Sequence, residues 1–84
     1  MYEVLLESRA ERDLKKLPAG VFNRIVPILK ALSENPKPPG SRKITGSRND
    51  RRIRSGEYRV IYEIDEKAKA VKVMRIRHRR EAYR

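Results

Sequence analysis

At 84 residues the chain can enclose one modest hydrophobic core and not two, so a single domain over residues 1–84 is expected. It has no cysteine, which removes disulfides and thiolate metal sites, and no apolar run able to span a bilayer or form a secretion signal, so a cytoplasmic protein without membrane contact is expected. The net charge of +11 calls for a polyanionic partner, above all a nucleic acid, because arginine outnumbers lysine and its planar fork grips phosphate bidentately.

That charge is uneven. Residues 1–39 hold 7 Lys/Arg against 5 Asp/Glu, whereas residues 40–84 hold 15 against 6. The second half therefore carries +9 of the total. Taken in chain order, Tyr2 to Glu7 alternates as a first strand with Tyr2, Val4 and Leu6 on one side. Ser8-Arg9-Ala10-Glu11 has the spacing of a capping box, so a helix from about residue 9 to 17 is expected, burying Ala10, Leu14 and Leu17. Pro18 and Gly20 close it. A second helix spans Val21 to Glu34 on a stripe of Phe22, Ile25, Val26, Leu29 and Leu32. The stripe continues across Pro27, so one helix kinked near Asn23–Pro27 is expected there, not two. The short link between the helices predicts an antiparallel helical hairpin.

Asn35 to Gly40, with three prolines, forms a stiff crossing. Arg42 to Gly46 follows as a short edge strand. Arg51 to Ile64 then reads as a β-hairpin broken at Ser55-Gly56-Glu57, where the glycine can take a positive φ. Past the turn, Tyr58, Val60, Tyr62 and Ile64 alternate with Arg59, Ile61 and Glu63, so the first four face the core. A second turn at Asp65 to Lys69 leads to a last strand, Ala70 to His78, and a short tail. Helices early and a meander late give an α+β fold. The expected form is a small curved antiparallel sheet in β-α-α-β-β-β order with the helical hairpin on one face.

Arg52, Arg54 and Arg59 thus stand side by side on two adjoining strands, where like charges repel unless a polyanion crosses them. Arg42, Lys43, Arg51, Arg77 and Arg80 are further candidates for RNA contact. The chain offers one histidine, no glycine-rich phosphate loop and only scattered carboxylates, so neither a metal nor a cofactor is expected. Cations, one imidazole and phenols suffice for RNA cleavage, because RNA brings its own nucleophile, the 2′-hydroxyl. The protein then aligns that oxygen and neutralises charge developing on phosphorus.

Arg52-Ile53-Arg54-Ser55-Gly56-Glu57-Tyr58-Arg59-Val60-Ile61-Tyr62, the later Val71 to Tyr83 and the upstream Pro38 to Gly46 together resemble the RelE branch of the RelE/ParE toxin superfamily. The resemblance covers the whole chain. It implies a microbial-ribonuclease-like fold and a toxin of a type II toxin–antitoxin system. Such a toxin cuts mRNA in the ribosomal A site by 2′-hydroxyl attack, without metal. It also implies a RelB-like cognate antitoxin with an acidic segment, in a toxin–antitoxin heterotetramer. By the same resemblance the catalytic residues are Arg52, Arg54, Arg59, Arg79 and Tyr83, the last stacking on the base. Anchoring on the last strand selects Arg79 as the late arginine; counting back from the terminal tyrosine selects Arg77. Where the family has lysines this chain has Arg52 and Arg54, and arginine gives up a proton poorly. That leaves a purely electrostatic site or His78 as the general base. Two other functions compete: a ParE-like DNA gyrase inhibitor without ribonuclease activity, and a non-catalytic basic RNA-binding protein.

Overall fold

The first strand, β1 (Glu3–Leu6), alternates exposed and half-buried residues and runs straight into α1 (Ser8–Lys15). The structure is a computed structural model and describes residues 1–82. The Ser8 hydroxyl makes no capping bond, contrary to expectation; the Glu7 carbonyl accepts the Glu11 N–H at 2.9 Å instead. Glu7 is still tied to the sheet, donating its own N–H to the Val73 carbonyl at 2.9 Å. The N-cap position thus falls on Glu7, in extended backbone, and Ser8 already lies inside the helix.

The second helix, α2 (Ala19–Ala31), runs unbroken through Pro27. Asn23 and Pro27 both face solvent, so water can serve the carbonyl that proline leaves without a donor. Ile25, Leu29 and Leu32 are buried, but Phe22 is 40% exposed. Its neighbour Val21 packs against the core instead, and the expected burial of Phe22 does not occur.

The remaining elements are β2 (Arg42–Lys43), β3 (Asp50–Ser55), β4 (Tyr58–Asp65), β5 (Ala70–His78) and α3 (Arg79–Ala82). They complete a 5-stranded sheet in the order β1-β5-β4-β3-β2. The fold is α+β, as the element order implies. The sheet is mixed, not wholly antiparallel: β1 lies parallel to β5, and the other pairs are antiparallel. The chain leaves β1 through the two helices, so the last strand of the meander closes beside it in the same direction.

Ala10, Ile25, Leu29 and Leu32 pack on Val60, Tyr62, Ile64, Val71, Val73 and Ile76 in one core. All the sheet residues of that core point to the side of α1 and α2. Tyr62 is fully buried and donates its hydroxyl to the Pro36 carbonyl at 2.7 Å, which fastens the proline crossing over the core edge. The other side of the sheet is left to the residues in opposite phase.

Candidate nucleic-acid interface

Those residues include Arg42, Arg52, Arg54, Arg59 and Arg77. β3 and β4 join through Gly56 and Glu57, with Gly56 at φ 58°, a backbone open to glycine at little cost. This tight turn fixes the register. Arg54 sits directly opposite Arg59, and Arg59 directly opposite Arg77. Directly paired residues share a face, so three arginines from three adjacent strands form one row across the sheet. The next row holds Arg42 opposite Arg52, and Arg52 opposite Ile61. Gly40, Arg42, Arg52, Arg54 and Arg59 line a cleft of about 250 Å³. Gly40, at φ 91°, takes a left-handed turn at its wall. Arg59 is only 4% exposed although it carries a full charge, while Arg54 is exposed and Arg52 half-buried.

The two candidates for the late arginine stand on different elements. Arg77 belongs to β5 and joins the row; Arg79 opens α3. The Arg79 N–H donates to the Glu57 carbonyl at 2.6 Å, and its guanidinium lies 3.6 Å from the Glu57 carboxylate. Arg79 therefore clasps the hairpin turn beside the row. Arg80 is exposed on α3, and Tyr83 lies outside the described residues.

Three candidates fall on the opposite face. Lys43 pairs with Arg51, and Arg51 with the buried Tyr62, so both turn toward the helix side. The Arg51 guanidinium donates to the Ser41 carbonyl at 3.3 Å and to Ser41 Oγ at 3.0 Å. It is committed to holding the crossing against β3. Lys37, Lys43, Arg48 and Arg51, with Glu66, line a separate hollow of about 130 Å³. His78 pairs with Tyr58, in phase with Val60 and Ile76. Its ring meets the Tyr58 ring edge-on at 5.3 Å, and Nδ1 accepts the Arg80 N–H at 3.3 Å. His78 is thus out of strand phase with the arginine row, and with Asp13, Leu17, Tyr58 and Arg77 it lines a hollow of about 130 Å³ at the edge of β5.

One charged residue escaped the sequence reading. Asp13 on α1 takes two hydrogen bonds from the Arg75 guanidinium, at 2.9 and 3.2 Å, and one from the Ile76 N–H at 3.0 Å. Burial pushes its carboxyl upward, but the Arg75 and Ile76 hydrogen bonds and the charges of Arg75 and Arg77 outweigh that and hold it below the usual aspartate range. The break in alternation after Val73 marks the irregular strand, but no local signal names Asp13 as its partner.

The chain's relatives agree with this architecture. Residues 4–83 match the sequence profile of the family described as "ParE toxin of type II toxin-antitoxin system, parDE". The chain belongs to the RelE/ParE toxin superfamily. Toxin RelG of Mycobacterium tuberculosis is 34% identical over 87 residues, covering 99% of this chain and 97% of that protein. The toxin–antitoxin complex RelBE2 of the same organism contains a chain that superposes with a TM-score of 0.80 at 29% identity, over 92% of this chain and 96% of that one. The archaeal RelE–RelB complex from Pyrococcus horikoshii gives 0.82 at 28%, over 93% and 94%. The isolated Escherichia coli RelE toxin, 21% identical, shares the fold with a TM-score of 0.83 over 99% and 96%. This superfamily member is a type II toxin whose sheet presents Arg54, Arg59 and Arg77 in one row, with Arg52 and Arg42 beside it.

Proposed function

We propose that this toxin is a metal-independent endoribonuclease that cleaves mRNA on the ribosome. The observation that carries the reading is the cross-strand row Arg54–Arg59–Arg77, with Arg52 and Arg42 in the adjoining row. A phosphodiester crossing this face meets arginines from strands that lie about 4.8 Å apart. In the reaction the 2′-oxygen attacks the adjacent phosphorus and the bond from phosphorus to O5′ breaks. A 2′,3′-cyclic phosphate and a 5′-hydroxyl result. The 2′-hydroxyl proton passes to water, and O5′ takes a proton back.

Arginine does not trade protons near neutral pH, so its part is to hold the phosphate and stabilise the extra negative charge on its oxygens. Arg59 bears most of that work, because its seclusion from water strengthens its field. Arg52 and Arg54 grip neighbouring oxygens, Arg77 closes the row, and Tyr83 stacks on a base. Arg79 steadies the turn, and His78 takes no part as a base. Arg42 and Arg80 contact the flanking RNA backbone in the cytoplasm, where ribosomes are met.

The cognate partner is a RelB-like antitoxin with an acidic segment, bound as a toxin–antitoxin heterotetramer. RelB-type antitoxins accompany the relatives in the complexes from M. tuberculosis and P. horikoshii. An anionic segment over a half-chain of +9 is the charge complement.

A second reading has its own support, since the matching profile is named for ParE. In that reading the toxin inhibits DNA gyrase by protein contact and the arginine row is dispensable. Adding the purified toxin to a reconstituted translation reaction and to a gyrase supercoiling reaction separates the two. The expected result is mRNA cut on ribosomes and supercoiling unaffected; intact mRNA with blocked supercoiling overturns the ribonuclease reading.

A further inference from the structure

The membership of Arg77 in the row depends on an irregularity in β5. Val71 and Val73 face the core, so strict alternation would send Arg75 and Arg77 inward as well and turn Ile76 out. The register shift between Ile61 and Tyr62 prevents this: Tyr62 pairs with Val73, but Ile61 pairs with Arg75. Met74 is the extra residue of a β-bulge. Beyond it Ile76 is 2% exposed in the core, and Arg77 stands opposite Arg59 on the other face.

The bulge lies where β5 loses its other neighbour. β1 pairs only as far as Val73, and the chain then departs into α1. The Ile76 N–H would otherwise be an edge amide without a strand to receive it. Asp13, on the helix that replaces β1 here, accepts that N–H through Oδ2, the same oxygen that takes the Arg75 Nε–H. Its other oxygen holds the Arg75 terminal nitrogen. One carboxylate therefore pins the backbone and the side chain of the two residues that follow the extra one.

We propose that Asp13 is a positioning residue for Arg77: by holding the β5 bulge from α1, it sets the phase of the strand's last residues and so the face of the sheet that Arg77 joins. Asp13 itself touches no RNA. Its consequence for cleavage rests on the ribonuclease reading, whereas the effect on strand phase does not. A one-residue slip would replace Ile76 by Arg77 against Leu17 and the core. A strand end without its clamp therefore frays sooner than it slips cleanly, and the row loses its third guanidinium either way.

The test is NMR on the full-length toxin, comparing the parent with Asp13→Ala, Asp13→Asn and Arg75→Ala. In the parent, cross-strand contacts join Arg59 to Arg77 and Val60 to Ile76, and the Ile76 amide exchanges slowly. Asp13→Ala should abolish the Arg59–Arg77 contacts and speed Ile76 amide exchange at least tenfold, while the Tyr62–Val73 contacts upstream of the bulge survive. Arg75→Ala leaves the carboxylate on the Ile76 amide and should keep the Arg59–Arg77 pair. A folded Asp13→Ala protein that retains that pair and a protected Ile76 amide overturns the proposal. If the alanine variant does not fold, Asp13→Asn decides on the same readouts, since it keeps the shape and weakens the clamp.

Cleavage on programmed ribosomes adds a second arm. If Asp13 acts through Arg77, Asp13→Asn should slow the parent at least tenfold but an Arg77→Ala toxin less than twofold. Equal losses in both backgrounds contradict the positioning role. A parent that cuts no RNA fails the ribonuclease reading alone and leaves the NMR comparison in force.

Discussion

Replacing Arg59 and Arg54 by alanine, each alone, asks whether burial sets the worth of a guanidinium in this row. The two residues are direct cross-strand partners and differ chiefly in access to water, Arg59 being 4% exposed and Arg54 open to solvent. A unit charge about 5 Å from one additional negative charge at an effective dielectric constant of about 20 contributes about 3 kcal/mol. At about 1.4 kcal/mol per decade, losing Arg59 should slow the chemical step by about two orders of magnitude. Around Arg54 bulk water weakens the same attraction about fourfold, so its loss should cost only a few-fold. The assay is single-turnover cleavage of mRNA on programmed ribosomes at saturating toxin, with thermal melts to confirm that both variants fold. Arg54→Ala as slow as Arg59→Ala, or Arg59→Ala within tenfold of the parent, would refute the reasoning.

Three further outcomes follow from particular contacts. His78→Gln should change the cleavage rate by no more than a few-fold, with the parent's pH profile flat through the imidazole range; a loss of about 10² to 10⁴ would restore His78 as the general base. Tyr62→Phe strands the buried Pro36 carbonyl and should cost about 1–3 kcal/mol, seen as a Tm lowered by at least about 4 °C. For Asp13, the folded carboxyl titrates below its unfolded value of about 3.9, so its stabilisation is complete above that pH and is lost as pH falls through the lower folded value. The stability gap between the parent and Asp13→Asn, measured by urea unfolding, should therefore be constant near neutrality and close only in acid; a gap that widens in acid contradicts the clamp.

The hairpin was legible because its information is local. Alternation from Tyr58 to Ile64 and the glycine at position 56 specify both the strands and the face each arginine takes. Alternation also separates Arg51 from Arg52, and Lys43 from Arg42, but the bulk charge drew all four into one interface. What stayed hidden was tertiary. The capping box at Ser8 has the right spacing, yet strand pairing of Glu7 decides how α1 begins. The parallel β1–β5 pair joins the two ends of the chain, where local pattern has no reach. Val71, Val73 and Ile76 break the period of two by one residue, which is the written trace of the bulge. The face of Arg77 and His78 hangs on it, and no local signal tells that Asp13 holds it.

The central claim is a phosphate-gripping row that uses RNA's own hydroxyl as nucleophile. The most direct measurement is cleavage, by the purified toxin, of ribosome-bound mRNA carrying a single 2′-deoxy nucleotide on the 5′ side of the scissile phosphate. Parent mRNA should be cut there to leave a 2′,3′-cyclic phosphate and a 5′-hydroxyl, and the 2′-deoxy mRNA should remain intact at that position. Undiminished cutting at the 2′-deoxy position, or no cutting of either message by an active, growth-arresting toxin, would contradict it.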